Sequence, residues 1–103
     1  MRDDPISFWL FDGLAWIKPT GHGCYLNAPG MKAFAKEMML RGYHNFTVDL
    51  GECSGMDETF VGTLAGMALR LRELGRGNLK VVRCTPELAA QLRSLGLEQL
   101  FDI

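Results

Sequence analysis

The chain has 103 residues, room for one domain and too few for two, and its 48% apolar content is enough for a core without disulfides or metal. The net charge is −1, and the eleven Lys and Arg are scattered apart from Arg70, Arg72 and Arg76, which read as a solvated helix face; this excludes a broad surface for tracking nucleic-acid phosphates. No run reaches the roughly 18 apolar residues of a membrane span, no leader follows Met1, and the three widely spaced cysteines Cys24, Cys53 and Cys84 make no disulfide framework, so the expected compartment is the reducing cytoplasm.

In chain order, residues 6–11 and 14–18 are β-prone runs separated by Asp12-Gly13. An Asp-Gly pair between apolar runs predicts a hairpin, because both central turn positions need positive φ. Residues 19–25 read as loop, with Gly21 and Gly23 around His22. Asn27 is placed to cap the following helix, and Pro29 falls in its first turn, where a missing N–H costs nothing. Met31, Phe34, Ala35 and Met38 recur at helical spacing, Lys32, Lys36 and Glu37 take the other side, and Gly42 closes the helix.

Residues 45–50 form a buried-strand pattern, residues 51–56 a loop, and residues 58–74 a second helix. Phe60, Leu64, Met67, Leu71 and Leu74 make one apolar row on that helix, widened by Val61, Ala65, Ala68 and Leu69 beyond the stripe of about 100° that a helix on a sheet requires. Two readings remain open: a helix sandwiched in the core, with Gly62 and Gly66 allowing close approach to the sheet, or an apolar patch left for a partner. Residues 79–83 are another buried strand. Thr85 caps a third helix with Pro86 at its first position, Leu88, Leu92 and Leu95 form its stripe, and Gly96 ends it. Residues 100–103 are positioned to begin a last strand. The order β-β-α-β-α-β-α, with helices between strands, predicts a single α/β domain over residues 1–103, with a mixed, mainly parallel sheet opened by a β-hairpin.

Little of this sequence suggests catalysis. His22 and His44 have no Cys or carboxylate at metal-ligand spacing, so neither a metal site nor a cofactor is expected. Gly21-His22-Gly23 is too sparse to cradle a phosphate, and Cys24 with His22 lacks an orienting third group. Trp9 and Trp16 fit hairpin packing better than a ligand cage, with an interface as the other option. The expectation is a protein that is not an enzyme.

The informative segment runs from Val48 to Gly66. A buried strand ends, a short loop follows, and Asp57, Glu58 and Thr59 stand where the next helix begins. In an open α/β sheet the carboxyl ends of the strands are where binding sites collect. The first N–H groups of a helix lack internal acceptors and carry the positive end of its dipole. A phosphate on Thr59 would meet those donors and add about −1.5 to −2 charges at pH 7. The plainer alternative is that Asp57 or Thr59 only caps the helix, for about 1 kcal/mol.

This segment resembles the STAS domain of the bacterial anti-sigma factor antagonists, whose signature is a strand ending in Asp-Leu-Ser, a short loop, and Met-Asp-Ser-Ser/Thr-Gly-Leu-Gly opening a helix. Asp49-Leu50-Gly51 and Met56-Asp57 fall on the first parts of that pattern, Thr59 on its phosphorylated hydroxyl and Gly62 on its second Gly. Glu58 and Phe60 replace the first Ser and the first Gly. The run from Leu92 to Ile103 is similar to the family's closing pattern. The resemblance implies a STAS-like fold, shortened at its C-terminal part. It implies a domain that binds an anti-sigma factor/serine-threonine protein kinase when unphosphorylated and is switched off by phosphorylation at Thr59. It further implies Asp57 as conformational anchor and a partner surface of Asp57, Glu58, Thr59, Phe60, Gly62 and Thr63. A phosphatase is a further implied partner, and a sheet edge left uncovered would invite self-association. The alternative within the same fold is a scaffold or subunit of a signalling or transport complex that is never phosphorylated. Neither reading calls for nucleic acid or membrane.

Overall fold

The computed structural model describes residues 6–23, 25–75 and 77–99. In chain order its elements are β1 (Ile6–Phe11), β2 (Leu14–Pro19), β3 (Gly21–Gly23), α1 (Ala28–Leu40), β4 (Asn45–Asp49), β5 (Cys53–Met56), α2 (Glu58–Glu73), β6 (Asn78–Val82) and α3 (Pro86–Ser94). The hairpin forms as its turn demands: Asp12 and Gly13 take φ of 53° and 77°, and β1 pairs antiparallel with β2 from Ile6↔Pro19 to Phe11↔Leu14. β2, β4 and β6 then pair in parallel, giving the order β1-β2-β4-β6.

Strand alternation separates the two faces of this sheet. The parallel registers align Ala15, Phe46 and Leu79 in one row and Ile17, Val48 and Val81 in the next, and all six are buried. Met31 and Ala35 of α1, Phe60, Leu64 and Leu71 of α2, and Leu88 and Leu92 of α3 complete the same core. Phe34 of α1 stacks on Phe8 at 4.3 Å between ring centroids, which ties the edge strand to the helical layer. Trp9 and Trp16, directly opposite in the register, stack at 5.8 Å with an interplanar angle of 21°, so these two indoles do pack the hairpin.

The structure corrects the sequence reading in several places. Residues 21–23 and 53–56, expected inside loops, are β3 and β5, which pair in parallel as a separate two-stranded sheet. Neither Gly21-His22-Gly23 nor Cys53-Ser54-Gly55-Met56 has apolar alternation, so only the tertiary pairing of their backbones marks them as strands. Asn27 occupies the N-cap position of α1 in an αR conformation without capping; its side-chain amide donates instead to the His22 carbonyl at 3.2 Å. Leu95 lies past the end of α3 and is 52% exposed, the stripe being completed by Ala89. Leu69 of α2 and Leu74, its C-cap, are also exposed, at 46% and 39%. Gly62 and Gly66 are exposed too, and a Cβ built on either would meet nothing within 4 Å, so they do not let α2 approach the sheet. The expected strand over residues 100–103 lies outside the described residues, as do Cys24 and Arg76. Among the described residues no helix is long and apolar enough to cross a membrane.

Candidate partner-docking site

The start of α2 is held from three directions through one residue. The Asp57 Oδ1 accepts the Phe60 N–H at 2.8 Å, which caps the helix. Its Oδ2 accepts the Tyr25 N–H at 2.9 Å, and its own N–H donates to the Gly23 carbonyl at 2.9 Å. The carboxylate therefore joins the β5–α2 junction to the segment between β3 and α1. Phe60 seats the junction from below: it is fully buried, and a Cβ on Gly23 would lie 2.9 Å from its ring. Only glycine fits over that ring without displacing it. Phe60 was expected on the partner surface; it belongs to the core, because the N3 position of this helix faces the sheet.

Thr59 sits one position before Phe60 and is exposed. The Thr63 hydroxyl, one turn later, donates to the Thr59 carbonyl at 3.0 Å, whereas the Thr59 hydroxyl makes no hydrogen bond among the described residues. Glu58 is exposed in the first turn, where a carboxylate is favoured by the helix dipole. Of the expected partner residues, Glu58, Thr59 and Gly62 are exposed, Asp57 and Thr63 are half-buried, and Phe60 is enclosed. Around them, His22 lies over Gly55, where a Cβ would meet its Nδ1 at 3.1 Å, and Gln91 of α3 donates to the Met56 carbonyl at 2.8 Å.

The end of β4 is built differently. Asp49 is almost fully buried and pairs with Arg83, whose Nε and Nη2 donate to Oδ1 and Oδ2 at 2.9 and 2.5 Å; the Gly51 N–H adds a third bond at 2.9 Å. Burial alone would push the Asp49 carboxyl up. The Arg83 hydrogen bonds, the Gly51 N–H and the charges of Arg83 and Lys18 together outweigh it and hold the group below the ordinary carboxylate value. Arg83 has φ of 53°, which turns the chain just after β6, and its guanidinium crosses Gly51, where a Cβ would lie 2.8 Å from Nε. The Gly at position 51, where the family pattern has Ser, is thus accounted for by an arginine 32 positions away that no local signal identifies. Tyr25 and Gly23 were also missed, since they act through backbone atoms and close contact.

Alongside α2 runs a groove of about 580 Å³ between α1 and α2, with Thr59 at one end. Among the described residues no group of three His, Cys, Asp or Glu side chains could hold a metal ion.

No family model and no curated protein matches this sequence. Solved structures do match its fold. A Thermotoga maritima protein described as an anti-sigma factor antagonist, TM1081, superposes with a TM-score of 0.82 at 16% identity, over 95% of this chain and 86% of that one. The Bacillus cell fate determinant SpoIIAA, in its phosphorylated form, gives 0.75 at 16% identity, over 94% and 88%. A sulfate transporter family protein from Wolinella succinogenes gives 0.75 at 15% identity, over 91% and 80%. A hairpin-led, mainly parallel sheet carrying three helices, shared over nearly the whole chain at this level, makes the fold of this protein the STAS fold of the anti-sigma factor antagonists.

Proposed function

We propose that this chain is a non-enzymatic regulatory domain, an anti-sigma factor antagonist that binds an anti-sigma factor/serine-threonine protein kinase while Thr59 is unmodified and releases it once Thr59 carries a phosphate. The supporting observation is the Thr59 hydroxyl itself: exposed, without a hydrogen bond among the described residues, and displayed by a helix start that Asp57 holds in place. A hydroxyl so presented can enter a kinase site without unfolding the domain. The likeness to SpoIIAA, whose structure is known in a phosphorylated form, supports the same reading. In this reading Asp57 anchors the surface, Glu58, Thr59, Gly62 and Thr63 face the partner, and Phe60 supports them from the core. The added charge of about −1.5 to −2 would arise inside the buried interface, where an unpaired charge is costly. A phosphatase would restore the binding form, and the proposed setting is the bacterial cytoplasm.

The test is phosphorylation of the purified chain by the anti-sigma kinase of the same genome, with the modified residue located by mass spectrometry. The expected result is one phosphate at Thr59, none on Thr59→Ala, and a kinase complex that forms with the unmodified chain only. Phosphate elsewhere, or a complex indifferent to it, sinks the switch. A second reading, a scaffold or subunit of a larger assembly without phosphorylation, is favoured by the likeness to the sulfate transporter family protein. It is distinguished by a partner complex that survives Thr59→Asp.

A further inference from the structure

The groove between α1 and α2 has a composition that the fold does not require. Gly62 and Gly66 stand one turn apart on the exposed side of α2. Glycine inside a helix is unfavourable relative to alanine, and here, among the described residues, no neighbour lies within 4 Å of where a Cβ would be. Their effect is to leave one wall of the groove as bare backbone. The buried Ala35 and Met67 and the half-buried Met39 give it an apolar floor. Leu40, 76% exposed, and Leu74 extend that apolar surface at the far end.

Among the described residues, the charges that line the groove have one sign. Lys32 and Lys36, one turn apart on α1, are exposed and make no ion pair among the described residues. Arg70 of α2 lines the groove too, and its carboxylate partner Glu73 does not. Among the described residues no acidic side chain lines it. α1 lies in the crossover from β2 to β4 and α2 in that from β4 to β6, all parallel strands of one sheet, so the helices run in the same direction. Lys32 and Lys36 therefore lie toward the Thr59 end, and Leu40 and Leu74 toward the other.

The geometry points to an acidic, amphipathic helix of the partner protein as the occupant of this groove, its apolar face on Met39 and Met67, its backbone close against Gly62 and Gly66, and its carboxylates on Lys32 and Lys36. This inference rests on the partner-binding role proposed above and names the element of the partner that is bound. A helix is the occupant that uses a glycine wall, since close backbone approach needs a rigid rod lying along it. Opposite charge at the rim supplies steering and orientation. A phosphate on Thr59 stands at the mouth of the same groove. It would repel those carboxylates and draw Lys32 and Lys36 toward itself, so one modification would remove both halves of the attraction.

The test uses two synthetic helical peptides of about 14 residues, matched to the length of α1, with one identical Leu/Met stripe and flanks of Glu in one and Lys in the other. Each is titrated into the 15N-labelled chain. The acidic peptide should give saturable shifts at Gly62, Thr63, Gly66 and Lys36, with affinity at least about tenfold above the basic one and weakening with salt. The double substitution Lys32→Glu with Lys36→Glu should reverse that preference. Gly66→Leu, which fills the groove at an exposed position, should abolish the shifts while the amide spectrum stays dispersed. Equal binding of the two peptides, shifts confined to the β1–β2 hairpin, binding undiminished by Gly66→Leu, or occupation by dodecyl phosphate with neither peptide bound would each overturn the inference. A chain that binds the acidic peptide but never accepts phosphate at Thr59 keeps the groove and loses the switch. One that is phosphorylated at Thr59 and binds neither peptide keeps the switch and loses the groove.

Discussion

Two aspartates bracket the connection from β4 to α2, and the molecule uses them in opposite ways. Asp49, at the strand end, is almost fully buried and meets a side-chain charge: Arg83 reaches it from the end of β6, so the carboxylate ties two strands of the main sheet. Asp57, at the helix start, is half-buried and, among the described residues, accepts only backbone N–H groups, from Phe60 and Tyr25, so it ties a helix to a loop. An ion pair fastens charge and responds to pH and to the loss of its partner. A carboxylate on backbone donors fastens geometry and makes no demand on the neighbouring side chains. The neighbours of Asp57 are thereby left available, and they include the exposed Thr59.

The comparison can be broken at its base first. Phe60→Ala removes the ring that seats the helix start under Gly23 and should cost about 3–5 kcal/mol in urea unfolding, the largest effect expected of a single change here. A cost below about 1 kcal/mol would mean that the junction does not rest on that ring. Next, Asp57→Ala removes both the cap and the Tyr25 bond, for about 2 kcal/mol. It should also raise hydrogen-exchange rates at Phe60 and Tyr25 while leaving those of Val48 and Val81 in the sheet unchanged.

Arg83→Met probes the other aspartate and should cost less than either of these, because the guanidinium is largely exposed and its pairing is screened by solvent. Its signature is in the pH dependence. The Asp49 carboxyl lies below its ordinary value in the folded chain, so its contribution to stability is fully present above the ordinary aspartate range. That contribution is lost as the pH falls through the lowered value. Without Arg83 the depression shrinks, and acid unfolding monitored by circular dichroism should begin at higher pH; Asp57→Ala should leave the Arg83-dependent part of that acid limb in place. The smallest effect is a gain: Gly66→Ala, at an exposed helical site with open space for a methyl group, should stabilise the fold by about 0.5–1 kcal/mol. Any destabilisation would show that the groove wall is needed by the fold itself.

Much of the architecture was legible beforehand because it is written in local chemistry. Asp12-Gly13 forced the hairpin turn, Thr85-Pro86 the start of α3, and the spacing of Met31, Ala35 and Met38 the buried side of α1. The Asp-Leu-Gly and Met-Asp pairs of the β4–α2 connection also announced where a site would lie. Asn27 shows the limit of such signals. It has the right type and position for a cap, but its backbone is already helical there and the amide is drawn to the His22 carbonyl across the turn. Phe60 shows another: a helix start was predictable, but which of its residues faces the sheet depends on how the helix is rotated upon it.

What the sequence by itself determined is the order of the three helices and of the four strands of the main sheet, the hairpin, the helix starts and the presence of a hydroxyl at one of them, because turns, caps and apolar periods act between residues a few positions apart. Only the tertiary structure decided the β3–β5 pairing, the choice of Arg83 as partner to Asp49, the enclosure of Phe60 and the cationic groove beside Gly62 and Gly66. Each of these joins groups distant in the chain, and such contacts exist only after helices and sheet have packed and their backbone and charged groups have found partners across the fold.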